Sequence, residues 1–298
     1  MHGIVVIDKP LGGSSNHALQ QVKRLYNANK AGHTGALDPL ATGVLPLCLG
    51  EATKVSQFLL DSDKAYRARI KLGERTDTAD SEGEIIARVE AFELSKTAVE
   101  EALRQFEGDI EQVPPMYSAL KQDGQPLYKL ARQGKTVERE ARAITVYSIR
   151  LTDLDLEAQE VEIEIECSKG TYIRTIADDL GQILGCGGHI IALRRLKAGA
   201  FTLDDAVTIE TLQAEAEAQG AEALDAHLMP IDRAIEDLPK VELSSYTAEF
   251  LKHGQAVQVS QPPADGLLRL YEEGVFIGIG CVDDDGKVAP KRLMVYEA

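Results

Sequence analysis

The chain has 298 residues, 44% hydrophobic and 27% charged, enough apolar material for one large unit or two unequal ones. No apolar run nears the roughly 18 residues of a membrane span, and the opening MHGIVVIDKP lacks the basic-then-apolar pattern of a secretory leader. Cys48, Cys167, Cys186 and Cys281 form no CxxC pair, which argues against a disulfide framework or zinc site and fits a reducing cytoplasm.

Taken in chain order, Ile4 to Ile7 reads as a short strand, ended by Lys9-Pro10 and Gly12-Gly13. Asn16 to Tyr26 is an amphipathic helix with Ala18, Val22 and Tyr26 along one side. Gly32 to Gly50, punctuated by glycine and proline, reads as mostly irregular. Tyr66 to Leu72 alternates as a strand, and Thr76 to Glu84 is polar and turn-like. The spacing of Val99, Ala102, Leu103 and Phe106 predicts a helix from Ser95, a good N-cap, to Gly108. Val113 to Tyr117 carries two prolines and cannot be a central strand. Lys129 to Arg142 is basic, with Lys129, Arg132, Lys135, Arg139 and Arg142 opposed only by Glu138 and Glu140. Val161 to Cys167 alternates apolar residues with glutamates, as a half-buried strand does, and Tyr172 to Ile183 reads as helix. Beyond Pro239 the texture changes to a short helix, Thr247 to His253, and short strands with turns at Glu273-Gly274 and Asp285-Gly286. A boundary falls near Leu238, dividing the chain into units at 1–237 and 238–298. Periodicity alone supports only a mixture of α and β.

The net charge of −16 speaks against a nucleic-acid partner until its distribution is read. The first 150 residues hold 20 Lys and Arg against 20 Asp and Glu, whereas residues 151–240 hold 7 against 19. Much of the acidity lies between Asp204 and Asp237, a solvated helical face that keeps the protein soluble.

The segment most informative about chemistry is Gly32-His33-Thr34-Gly35-Ala36-Leu37-Asp38-Pro39-Leu40-Ala41-Thr42-Gly43. Its glycines permit unusual dihedrals, and Pro39 restricts Asp38 to an extended backbone, so a rigid loop presents one carboxylate. Spacing alone favours the plainer reading, an Asp that caps a turn. A phosphate-binding loop is a poor alternative, because the Gly-Lys-Ser/Thr ending is missing.

This segment resembles the signature of the TruB family, bacterial synthases of pseudouridine 55 in the tRNA T-loop. Further matches follow in order: Asp8 to Gly12, Leu47 to Lys54, Asp63 to Arg67 (DKAYR), Gly73 to Asp80 (GERTDTAD), Cys167 to Thr175 (CSKGTYIRT), Gly188-His189 and Leu193-Arg194-Arg195. The resemblance covers at least residues 3–200, and the tail resembles a PUA-like RNA-binding module.

The resemblance implies an α+β fold with a mixed, largely antiparallel sheet, flanking helices, an active-site cleft and a small C-terminal β-rich domain. It implies isomerisation of a uridine in tRNA without cofactor or metal: the N-glycosidic bond breaks, the base rotates, and C5 joins the sugar. Asp38 maps to the essential aspartate, as nucleophile at C1′ or as base for a sugar proton, and Arg174 to its cation partner, expected to hold the carboxyl pKa down. Tyr66 maps to the tyrosine that stacks on the flipped base, Tyr172 and Leu193 to further pocket residues, His33 to an RNA contact beside the flipped site, and Asp80 to an acidic position near it. The resemblance places the basic stretch, with Arg132 and Arg139, in an insertion of about residues 117–148 that folds over the T-loop. Each of these residues taken singly has an ordinary structural reading, and their co-occurrence raises them above it. A monomer that binds a T-stem-loop is expected. Two other classes compete. A glycoside hydrolase shares chemistry at C1′ but needs paired carboxyl groups, and a silent RNA-binding protein would have no use for Asp38.

Overall fold

The computed structural model of the protein describes residues 1–122, 124–263 and 266–296. The first half runs β1 (Gly3–Lys9), α1 (Ser15–Leu25), β2 (Ala31–His33), β3 (Ala41–Leu49), α2 (Ser56–Asp61), β4 (Lys64–Leu72), β5 (Glu74–Thr76), β6 (Ile85–Arg88), α3 (Lys96–Arg104) and β7 (Gly108–Gln112). Then come β8 (Lys121–Gln122), β9 (Gln125–Pro126), α4 (Leu127–Ala131), β10 (Arg142–Asp155), β11 (Glu160–Cys167), α5 (Ile173–Ile183), β12 (Gly188–Ala198), β13 (Phe201–Thr202) and α6 (Ile209–Gln219). The remainder is β14 (Lys240–Leu243), α7 (Ser245–Lys252), β15 (Leu267–Glu272), β16 (Val275–Val282) and β17 (Val288–Leu293).

A nine-stranded sheet in the order β1-β3-β12-β4-β11-β10-β7, with β2 and β13 as short additions, organises residues 3–202. Its pairings are antiparallel except β12 with β3, so the sheet is mixed. The alternation read in residues 161–167 is real: Val161, Ile163, Ile165 and Cys167 are buried, and the intervening glutamates face solvent. There Glu164 pairs with Arg67 and Arg150, and Glu160 with Arg69. Helices α1, α3 and α5 cover the other face, each with one apolar stripe. The helix expected from Ser95 does start there, its hydroxyl accepting from the Ala98 N–H, but ends at Arg104, before Gly108 opens β7.

The reading of Gly32 to Gly50 as mostly irregular is corrected. Ala41 to Leu49 is a long internal strand, buried almost throughout. Its two faces feed different cores: Leu45, Leu47 and Leu49 join the helix-covered core, while Val44 and Cys48 join a second one. A strand buried on both faces shows a continuous apolar run instead of alternation, which is why periodicity missed it. Pro46 is tolerated because it falls between the stretch paired with β12 (residues 41–43) and the stretch paired with β2 (residues 47–49).

After Pro239 four strands form a separate sheet, β14-β15-β16-β17. It has its own small core around Leu251, Leu268 and Leu270. It also contributes Tyr271, Phe276 and Ile279, joined by Met294 just after β17, to the second core, against Ile4, Val6, Val44, Cys48 and Phe201. Each large apolar side chain buried there stabilises by roughly 1.5–3 kcal/mol. Across the same junction Lys54 Nζ donates to the Leu293 carbonyl and Arg292 donates to the Lys54 carbonyl.

Candidate active site

A cleft of about 630 Å³ opens where the ends of β4 and β12 meet the loop before β3 and the first turn of α5. The loop is held by its neighbours. The Leu37 N–H donates to the Ser15 hydroxyl at 2.7 Å, Gly12 N–H donates to the Pro39 carbonyl at 2.9 Å, and Lys9 Nζ donates to the Ala41 carbonyl at 2.7 Å. The Ala41 N–H closes a turn onto the Asp38 carbonyl. Gly43 has φ +102°, and a Cβ there would lie 2.2 Å from the Arg195 carbonyl oxygen, so only glycine fits where β3 leaves the loop.

These restraints present Asp38 to the cleft, its side chain 41% exposed. Arg174, 7% exposed, reaches it with Nε at 2.9 Å from Oδ2. The same guanidinium donates to the carbonyls of Thr78 at 3.2 Å and Tyr117 at 2.7 Å, and Nη1 lies 3.7 Å from Asp80 Oδ2. A cation in the first turn of a helix opposes the helix dipole; two carboxylates and two carbonyls compensate it here. Asp80, 5% exposed, is itself fixed by the Thr78 hydroxyl at 2.6 Å and the Glu82 N–H at 3.0 Å.

The expectation that Arg174 holds the Asp38 pKa down is corrected. Dehydration inside the cleft pushes the carboxyl above the ordinary range, and Asp80 adds to it; the Arg174 charge and hydrogen bond, with Lys9, oppose the rise without cancelling it. Water still reaches the carboxylate through the cleft mouth, so it titrates as a partly dehydrated acid.

Tyr66 rises from β4, half-buried, and burial raises the pKa of its hydroxyl. Tyr172 precedes α5, where the Gln112 amide clamps its backbone from both sides: the Tyr172 N–H donates to Oε1 at 2.8 Å and Nε2 donates to the Tyr172 carbonyl at 3.1 Å. Leu193, on β12, completes the apolar wall. Asp38, Tyr66, Asp80, Arg132, Tyr172, Arg174 and Leu193 therefore line one cleft.

His33 and Arg139 do not line it. His33 lies on β2, its pKa lowered by burial and then by the Arg195 charge; its Nδ1 and the Arg139 Nε are buried without a hydrogen-bond partner among the described residues. The basic stretch forms α4 only to Ala131 and then runs irregularly to Arg142, with Arg132 stacked over the Tyr128 ring at 5.5 Å. Asp123 falls outside the described residues. None of residues 204–237 lines the cleft.

Sequence reasoning missed three cations. Lys9 is fully buried beneath the loop. Lys64 lines the cleft, donates to the carbonyls of Leu59, Leu60 and Ser62, and is pushed down to about 8, chiefly by burial. Arg195 is 1% exposed. All three stand within the quoted motifs, but a buried Lys or Arg reads as a surface residue until its surroundings are known. Among the described residues no cluster of His, Cys, Asp and Glu could hold a metal ion.

A mixed sheet crossed by a cleft, with a water-reachable carboxylate paired to a buried guanidinium beside tyrosine faces, fits the class of pseudouridylate synthases. The match extends along the chain: residues 23–173 fit the family model described as TruB family pseudouridylate synthase (N terminal domain), residues 174–236 that of the tRNA pseudouridylate synthase B C-terminal domain, and residues 239–294 that of Pseudouridine synthase II TruB, C-terminal. The chain belongs to the TruB family. It is 54% identical to tRNA pseudouridine synthase B of Vibrio cholerae, over 99% of this chain and 96% of that protein, and equally to the protein of that name from Serratia proteamaculans. Among solved structures it is similar to a chain of a Cbf5-Nop10-Gar1 complex, with a TM-score of 0.73 at 25% identity, over 98% of this chain and 84% of that one. No helix among the described residues is long and apolar enough to cross a membrane.

Proposed function

We propose that this pseudouridylate synthase acts on tRNA, isomerising uridine 55 of the T-loop, and that Asp38 is its essential carboxylate. The observation that carries the reading is the 2.9 Å pair between Arg174 and Asp38 at the floor of a cleft faced by Tyr66. A stacked uridine has to be flipped out, at a cost of a few kcal/mol, and the rings of Tyr66 and Tyr172 offset this at about 1–3 kcal/mol per stacked base. Ionised Asp38 then acts at the sugar, the glycosidic bond breaks, and the base turns to offer C5. The Tyr66 hydroxyl handles the proton lost from C5, and Leu193 keeps the pocket apolar. No cofactor is required, because no atoms or electrons enter or leave overall. The names of the related proteins support tRNA as substrate.

A hydrolase fits less well. Of the two other carboxylates lining the cleft, Asp80 is buried, engaged by the Thr78 hydroxyl, the Glu82 N–H and Arg174, and cannot serve as a free acid or base, and Glu82 is exposed to solvent. His33 contacts the RNA beside the flipped site, and Arg132 and Arg139 contact phosphates from the insertion at about residues 117–148. Residues 1–237 form the catalytic unit and 238–298 a PUA-like RNA-binding unit, in a monomer that works in the cytoplasm. The direct test is incubation with an unmodified T-stem-loop RNA, without added metal or nucleotide, followed by chemical mapping of pseudouridine. Product at position 55 supports the reading; product elsewhere, or none, overturns it.

A further inference from the structure

Consecutive arginines on β12 have opposite surroundings. Arg194, 36% exposed, makes a two-pronged pair with Asp8, at 3.0 and 2.7 Å. Arg195 points the other way, into the cleft wall, and is 1% exposed. It donates from Nε to the Val44 carbonyl at 2.7 Å and from Nη2 to the Gly35 carbonyl at 3.1 Å, yet among the described residues no carboxylate lies within salt-bridge reach. A buried cation without a counter-charge is costly, and neutral donors could serve two carbonyls. Its charge therefore calls for another explanation.

Tyr66 supplies one. It is the direct cross-strand partner of Arg195 in the β4–β12 ladder, immediately before a register shift, and both side chains line the cleft. The cross-strand pairing sets the Arg195 guanidinium beside Tyr66 on the same wall of the cleft. A guanidinium only donates, so a phenol facing it can offer it only the oxygen, with its own proton directed elsewhere.

We infer that Arg195 is a positioning residue for Tyr66: it turns the hydroxyl proton toward the cleft and places a fixed positive charge beside the oxygen. The same guanidinium holds the Gly35 carbonyl of the Asp38 loop, so one side chain sets the Tyr66 hydroxyl and the root of the loop together. The inference deepens, and rests on, the reading that the hydroxyl takes part in the reaction. Burial raises the Tyr66 pKa, and Arg195 is the largest opposing influence. The other titratable groups around the ring are Cys167 from β11 and Asp38 from the loop, both of which raise it, with Lys64, Arg174 and Asp80 farther along the cleft.

The test is titration of Tyr66 in protein labelled with 3,5-difluorotyrosine, followed by ¹⁹F NMR, with the resonance assigned by its loss in Tyr66→Phe. In folded Arg195→Gln the Tyr66 signal should titrate about one pH unit or more above the parent protein. Unchanged titration overturns the inference, because a merely structural Arg195 would alter stability and leave the phenol alone. Should Arg195→Gln fail to fold, Tyr66→Phe is read from the other side: the Arg195 Nη protons, deprived of an acceptor, should exchange with solvent faster, and unaltered exchange overturns the inference. Turnover separates the two ideas. Normal turnover by Tyr66→Phe with a shifted titration removes the chemical role of the hydroxyl and leaves the Arg195 link intact; an inactive Tyr66→Phe with an unshifted titration removes Arg195 alone.

Discussion

The floor and the rim of the cleft carry positive charge in different ways. On the floor Lys64, Arg174 and Arg195, and beneath it Lys9, are buried and locked to backbone carbonyls, so their geometry precedes any substrate. On the rim, Arg132 is exposed, and Arg139, partly exposed and off the cleft lining, follows it on a segment with no regular structure beyond Ala131. Fixed charges stabilise charge that develops during a reaction, without reorganisation cost; adaptable charges suit a phosphate backbone, where neutralisation sets affinity. The contrast also accommodates the net charge of −16, since the acidic residues 204–237 lie off the cleft.

The sharpest break between the regions should come from Asp38→Asn. Product formation is expected to vanish while RNA affinity, measured by filter binding, stays within a few-fold. The wild-type single-turnover rate should fall on the acid side at a pH above the ordinary carboxylate range, because the Asp38 pKa is raised and the ionised form reacts. The same sign applies to stability. A group whose pKa is raised by folding stabilises most at low pH, and loses that contribution as pH rises through the raised value. At neutral pH Asp38→Asn should therefore melt no lower than wild type, and a clear loss of Tm would count against the dehydrated state described for Asp38.

Tyr66→Phe comes next. The ring remains, so binding should persist, but turnover should be lost; a near-normal rate would leave stacking as its only role. Arg174→Met should slow single turnover by about a hundredfold, the scale expected when a reacting group is misplaced by about 1 Å. It should also destabilise the fold by about 3 kcal/mol in denaturant titrations, because buried Asp80 loses its cation. Arg174→Lys should recover part of the rate, since a point charge replaces a planar fork. Equal, small losses at pH 6 and pH 8 for Arg174→Met would erase the distinction between floor and rim.

Rim substitutions should act on affinity. Arg132→Ala with Arg139→Ala should lower the slope of log affinity against log salt by about 1.4, since each phosphate no longer neutralised removes about 0.7, with little change in the rate of bound RNA. The smallest effect is expected from neutralising acids between Glu210 and Asp225, which lie off the cleft; charges beyond about 8 Å are largely screened at physiological salt. Should the acid variants change the slope and the arginine variants keep it, the RNA lies on another face.

The sequence was most legible where one physical pattern dominates. Glutamate alternation marked β11, the Ser95 cap and its apolar spacing marked α3, and the lone carboxylate between glycines marked the Asp38 loop. It was least legible where two environments overlap. β3 serves two cores and shows no period, and the buried cations spend their charge on carbonyls contributed by distant segments: Arg195 reaches residues 35 and 44, and Lys9 reaches residue 41. The raised Asp38 pKa was hidden for the same reason, since its sign depends on how much protein surrounds the pair as well as on Arg174.

The second core joins the first strand to residues near the end of the chain. During synthesis at about 5–20 residues per second, Met294 follows Ile4 by about 15–60 s. Throughout that interval the outer faces of β1 and β3 lack part of their apolar cover, although the Asp38 loop and its partners up to Arg195 have already been made. Completion of this enzyme on the ribosome is thus paced by its last residues, and a transcript cut short after residue 238 would yield a protein with every cleft residue and an open flank.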